Sequence, residues 1–180
     1  DLIREKYIMH SNKIKDIYDE IKFIKKQDIL YNDKLALAKT ATLSVKPDEM
    51  STIEEIVNLD HLHNLRWLDL SFNKINKIEG LTNLTNLEDL SLYSNRISII
   101  EGLEQCQNLQ CLSLGSNLIE SLEQVIRLRQ LRSLRMLTLK GNPIYEESEY
   151  KMTVLAYVDA LKYLDYALVD QSELHTAKEQ

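Results

Sequence analysis

LRWLDLSFN (Leu65–Asn73), LEDLSLYSN (Leu87–Asn95), LQCLSLGSN (Leu109–Asn117) and LRMLTLKGN (Leu134–Asn142) are one phrase, LxxLxLxxN, written four times. The first three begin 22 residues apart, and the fourth begins 25 residues after the third. A unit this short cannot enclose a core of its own. It describes one strand and one return segment, repeated so that each coil hides its apolar side against the next. The expected fold class is therefore α/β: a solenoid with a parallel concave sheet, an N-terminal helical segment and a C-terminal cap.

The positions inside the phrase have separate tasks. Successive strand residues face opposite sides, so Leu68 and Leu70 are expected to point inward while Trp67, Asp69 and Ser71 point outward. The asparagines Asn73, Asn95, Asn117 and Asn142 turn the chain off the strand, and their amides can satisfy buried backbone groups. Between strands, Ile75/Ile78/Leu81/Leu84, Ile97/Ile100/Leu103/Cys106 and Ile119/Leu122/Val125/Leu128 should fill the convex half of the core. Cys106 stands where a leucine is expected, as a small buried hydrophobe rather than a reactive thiol.

The outward residues form a grid of three rows: Trp67, Asp89, Cys111, Met136; then Asp69, Ser91, Ser113, Thr138; then Ser71, Tyr93, Gly115, Lys140. Aromatic side chains dominate interface energetics, so Trp67 and Tyr93 are the anchor candidates. Asp69 and Asp89 lie towards one end, Arg135 and Lys140 towards the other, a gradient that could orient an elongated partner. Trp67 has a second reading, packing against the N-terminal segment. The partner-binding candidates on this face are Trp67, Asp69, Asp89, Tyr93, Met136 and Lys140.

Outward from the four phrases, whose coils are counted first to fourth, residues 41–64 read as a degenerate leading coil, so the repeats span 41–142. Counting back 22 residues keeps Ile53, Ile56, Leu59 and Leu62 as a convex half, but places Lys46 and Asp48, flanking Pro47, where Leu68 and Leu70 would be. Residues 1–40 lack Gly and Pro and carry an apolar stripe (Ile3, Tyr7, Ile14, Ile17, Ile21, Ile24), the pattern of an amphipathic helix. Such a segment can ride on the solenoid or dock a partner. The longer stride before the fourth phrase holds Arg127, Arg129, Arg132 and Arg135. Two readings stand: a lengthened convex helix over Leu128, Leu131 and Leu134, or a patch for an acidic partner such as tubulin's surface. Residues 143–170 read as a cap, with Pro143 ending the strand, a helix through Tyr150, Val154, Leu155 and Val158, a last strand near Leu161–Asp165, and Tyr166–Asp170 covering the open edge. In the cap, Asp165 is expected to accept backbone or tyrosine hydrogen bonds. Residues 171–180 read as the start of a helical tail.

Composition excludes more than it assigns. The net charge of -6 carries no overall pull towards nucleic acid or an anionic membrane, and neither partner is expected. No apolar run approaches the 18 residues of a membrane-spanning helix. Both cysteines fall inside the repeats, which fits a reducing compartment. The histidines His10, His61, His63 and His175 make no metal set, and there is no nucleophile motif or phosphate-cradling glycine cluster. The chain is read as non-catalytic, with no cofactor and no metal.

IEGL (Ile78–Leu81 and Ile100–Leu103) after the strand loop resembles intracellular leucine-rich repeats of the phosphatase-regulating and axonemal light-chain families. The ordered series WLDLSFNKI (Trp67–Ile75), NLEDLSLYSNRIS (Asn86–Ser98), LSLGSNLI (Leu112–Ile119), GNPI (Gly141–Ile144), EYKM (Glu149–Met152), AY (Ala156–Tyr157) and YLDYALVD (Tyr163–Asp170) is similar to the leucine-rich-repeat subunits of the nexin–dynein regulatory complex of motile cilia. That resemblance covers roughly Ser51 to Asp170. It implies a leucine-rich-repeat solenoid and cap, followed by a coiled coil, in the link between doublet microtubules of the axoneme. The implied partners are other subunits of the dynein regulatory complex, with tubulin or dynein as further candidates, in a hetero-oligomeric assembly. The alternatives are a dynein light chain binding a motor domain and a phosphatase regulatory subunit. Asp159 stands where the family cap has Pro, and residues before Ser51 match poorly.

Overall fold

The structure is a computed structural model that describes residues 40–42, 53–57 and 59–179. The expected N-terminal helix, residues 1–40, falls almost wholly outside the described residues.

Among these residues, seven short strands make one sheet in sequence order: β1 (Thr40–Thr42), β2 (Trp67–Asp69), β3 (Asp89–Ser91), β4 (Cys111–Ser113), β5 (Met136–Thr138), β6 (Tyr163–Leu164) and β7 (Ala167–Leu168). β1 to β6 run parallel, and β7 returns antiparallel to β6. The return segments carry two 3-10 helices, η1 (Leu122–Gln130) and η2 (Pro143–Glu146). Two α-helices, α1 (Tyr150–Tyr157) and α2 (Gln171–Glu179), pack together at the C-terminal end.

The register follows the repeats, with Leu68, Leu90, Leu112 and Leu137 in one line across the sheet. All four are buried, as are Leu70, Leu92, Leu114 and Leu139 behind them. The convex half is equally closed, from Ile56, Leu59 and Leu62 through Ile75–Leu84 and Ile97–Cys106 to Val125, Leu128 and Leu131. Leu122 and Ile53 are only partly buried against it. One core thus runs the length of the solenoid, and no coil owns a separate part of it.

The asparagines hold successive coils together. Asn95 donates from Nδ2 to Leu92 O (3.0 Å) in its own coil and to Leu70 O (3.0 Å) in the preceding one, while its Oδ1 accepts from Ile75 N (3.0 Å). Asn117 repeats the arrangement with Leu114 O, Leu92 O and Ile97 N. Asn142 repeats it again with Leu139 O, Leu114 O and Ile119 N. Each amide satisfies backbone groups that the strand-to-loop turn would otherwise bury unpaired.

The glycine of IEGL has a steric reason. Gly80 and Gly102 both have φ +69, and a Cβ on them would lie 2.4 Å from Ile56 O and 2.2 Å from Ile78 O. Only a residue without a side chain lets the coils stack that closely.

The degenerate leading coil corrects the count made from a constant 22-residue stride. The partner of Trp67–Asp69 is Thr40–Thr42, so Ala41, not Lys46, stands opposite Leu68. This coil spans 27 residues rather than 22, and the sequence TATLS (Thr40–Ser44) lines up under WLDLS (Trp67–Ser71). At the other end, β5 stops at Thr138, and Pro143 opens η2 rather than ending the strand. Proline fits there because the first helical position has no intrahelical use for an N–H.

The cap is tied to the last coil by Asp165. Its Oδ1 accepts from Leu139 N (2.7 Å) and Lys140 N (2.9 Å), and its Oδ2 accepts from the Tyr150 hydroxyl (2.6 Å). The acceptor role expected of it is what the structure shows. Burial, then the Asp165 carboxylate, raises the Tyr150 pKa well above the ordinary tyrosine value. Asp165 (φ 49) and Tyr166 (φ 69) form the tight turn between β6 and β7. The acidic side chain of Asp170 then caps α2, accepting from Ser172 N and Ser172 Oγ (both 2.8 Å).

Candidate functional site

The concave face is built by the strand register. Trp67, Asp89, Cys111 and Met136 lie in one row, each half-buried. Tyr163 on β6 extends that row by one place, since it stands opposite Met136. An aromatic ring thus stands at either end of these five places, with Thr40 of β1 opposite Trp67 and Leu168 of β7 opposite Tyr163.

The other two rows are less open than alternation predicts. Ser71 is buried, and its hydroxyl bonds that of Ser91 on the neighbouring strand at 2.7 Å. Its N–H donates to Asp69 Oδ1 (2.9 Å), so that carboxylate is partly committed to its own turn. Thr138 is 2% exposed. Gly115 is buried because the ring of Tyr93 lies across it. A Cβ there would meet the Tyr93 ring at 3.0 Å and Lys140 O at 3.0 Å. Glycine in the third coil is what lets Tyr93 lie down on the sheet.

Tyr93 has an aromatic neighbour that sequence reasoning passed over. Phe72 meets it edge to face, with ring centroids 5.5 Å apart and planes at 68°. Phe72 is 47% exposed and has φ 58. The same place in later coils is held by Ser94 (φ 55), Ser116 (φ 54) and Gly141 (φ 84). Left-handed backbone suits small residues, and a bulky ring pays for occupying it. Phe72 is thus a large apolar residue that is exposed, held at left-handed φ and paired with a second ring. The signal was present in the sequence as the one aromatic among F-S-S-G, immediately before each asparagine.

The basic residues separate into two groups. Arg135 folds back on its own backbone, with Nη1 donating to Arg132 O (2.9 Å) and Leu134 O (3.1 Å). It precedes β5 and lies outside the grid, so Lys140, which is exposed, is the cation of the third row. Arg127, Arg129 and Arg132 are exposed on the convex side around a recess of about 600 Å³, with Glu104, Ile126 and Gln130. Below them Leu128, Leu131 and Leu134 are buried, and η1 is the lengthened convex helix in 3-10 form.

Cys106 is fully buried, its Sγ 3.9 Å from Leu81 O, and burial pushes its thiol up to about 11. That suits packing, since the nucleophile is the thiolate. Among the described residues no group of three or more His, Cys, Asp or Glu gathers as a metal site, and no helix is long and apolar enough to cross a membrane.

A family model described as leucine-rich repeat matches residues 23–180. The chain belongs to the leucine-rich repeat family. This leucine-rich repeat protein has a fold typical of non-catalytic protein-interaction modules. It is 46% identical over 54 residues to dynein regulatory complex subunit 3 of Mus musculus. That match takes in 30% of this chain but only 10% of the relative's length. Among solved structures it resembles a chain of the Drosophila melanogaster SNF/U2A' complex, with 28% identity and a TM-score of 0.70, over 78% of this chain and 79% of that one. Internalin C2 of Listeria monocytogenes follows the same coil at 27% identity and a TM-score of 0.58, over 77% of this chain and 55% of that one. The chain is a leucine-rich-repeat interaction module related to dynein regulatory complex subunit 3.

Proposed function

We propose that this chain is a non-catalytic scaffold of the ciliary or flagellar axoneme and works as a dynein regulatory complex subunit. In that complex it helps link doublet microtubules and regulate dynein-driven motility. The observation that carries this reading is the 46% identity over 54 residues with dynein regulatory complex subunit 3. The working surface is the concave face. Trp67, Phe72 and Tyr93 supply aromatic contact area, Met136 an adaptable apolar patch, and Asp69, Asp89 and Lys140 the polar orientation. The partners are other subunits of the complex, with tubulin or dynein at the edges of the assembly. The domain plan that goes with it is a helical segment over residues 1–40, repeats over 41–142, a cap over 143–170 and a helical tail from 171 onward that continues as a coiled coil.

The test is extraction of isolated axonemes with high salt. Retention of the protein on the doublets after the dyneins have left supports the link role. Departure with an outer-arm motor sinks it in favour of a dynein light chain, and absence from axonemes with coprecipitation of a phosphatase sinks it in favour of a phosphatase regulator.

A further inference from the structure

The 25-residue stride that sets the third coil apart places three cations where no packing need calls for them. Arg127, Arg129 and Arg132 border one open recess, and none of their guanidinium groups makes a hydrogen bond or ion pair with another described residue. Their place near the end of η1 would suit the carbonyl end of a helix dipole. No guanidinium is bonded there, and the Leu131 N–H already takes the Leu128 carbonyl. Three guanidinium groups within six residues repel one another, in a protein whose net charge is -6. The single carboxylate on the rim is Glu104.

We infer that this recess is a second docking site, on the face opposite the concave sheet, for an acidic peptide segment of a partner protein. Guanidinium forks match carboxylates two bonds at a time, which a lysine patch does not. Ile126, 44% exposed on the floor of the recess, offers an apolar contact that a peptide side chain can use and a free anion cannot. No aromatic residue borders the recess, so bases have nothing to stack on. The inference goes beyond the concave-face reading and does not depend on it. With both sites filled, one solenoid holds two chains on opposite sides.

The experiment uses fluorescence anisotropy of a labelled octaglutamate peptide with the whole chain. The expected result is saturable binding that weakens several-fold as salt rises from 50 to 200 mM. R127A/R129A/R132A should weaken it at least tenfold, whereas K74A/R96A/K162A, which removes three cations elsewhere, should change it less than twofold. F72S/Y93A should leave it unchanged, which separates this site from the concave one. R127K/R129K/R132K keeps the charge and should lose part of the affinity. Should the alanine variant not fold, hydrogen exchange of the native chain decides the matter, with the peptide expected to slow exchange across residues 122–132. No binding, equal loss in both triple variants, protection elsewhere, or tighter binding of a uridine octanucleotide than of the peptide would each overturn the proposal.

Discussion

The second and third coils differ by three residues and differ almost entirely on one side. On the concave side they match: Leu90 stands opposite Leu112 as Leu112 stands opposite Leu137, and Asn117 and Asn142 reach back to the preceding coil with the same three bonds. On the convex side the second coil turns tightly on Gly102 against Ile78 O, while the third has Gln124 at the corresponding place and runs into η1. The Gln124 side chain still meets the Ile100 N–H, at 3.3 Å. Added length is therefore pushed outward, because the asparagine ladder fixes the strand ends and leaves the return path as the free variable. The lesson is that the concave face is a constrained display surface, and the convex face is where a coil can acquire something new.

Substitutions can strain that contrast, beginning with the core that both sides share. Leu112→Ala opens a cavity in the middle of the solenoid and should cost about 3–5 kcal/mol in a urea titration. A midpoint equal to wild type would mean the drawn register is wrong. Gly102→Ala puts a Cβ against a backbone oxygen at left-handed φ and should cost about 3 kcal/mol. Gln124→Ala, at the matching place in the third coil, should cost about 1 kcal/mol for its one hydrogen bond. Equal effects would erase the difference between the two return paths. Tyr150→Phe asks whether the cap belongs with the constrained side, and should cost about 1 kcal/mol at neutral pH.

That same tyrosine fixes a pH dependence. Its proton is held more tightly in the folded chain than in the unfolded one, whose value is 10.0. The contribution is therefore intact below pH 10 and is lost as pH rises beyond it, because the unfolded state then releases a proton that the folded state keeps. Thermal melts from pH 8 to 11 should show a falling midpoint in the wild type and a flatter one in Tyr150→Phe.

Phe72→Ser has the smallest expected effect on stability, within about 1 kcal/mol, since relief of left-handed strain offsets the lost Tyr93 contact. Its effect on partner binding should be large. A strongly destabilised variant with unchanged binding would make Phe72 a packing residue instead.

What could be read from the sequence follows the same division. LxxLxLxxN stated the strands, their register and the inward leucines, because period two and a constant return leave one arrangement. The asparagine bonds and the role of Asp165 followed from the need to pair buried backbone groups. The first strand was misplaced because a constant stride was assumed where the return was longer, and TATLS lacks the leucine at the Leu68 place that would have announced it. Alternation gave Ser71 a side of the sheet but not its burial, because it does not see a hydroxyl partner on the next strand. Phe72 went unnoticed since its importance lies in a backbone angle that composition does not display.

The account stands or falls on the concave face meeting another subunit of the dynein regulatory complex. Zero-length crosslinking of intact axonemes, read by mass spectrometry, tests this most directly. The expected result is crosslinks from Asp89 and Lys140 of this chain to other subunits of that complex. Crosslinks only from the convex acids Glu104 and Glu123, or only to proteins outside the complex, would contradict it.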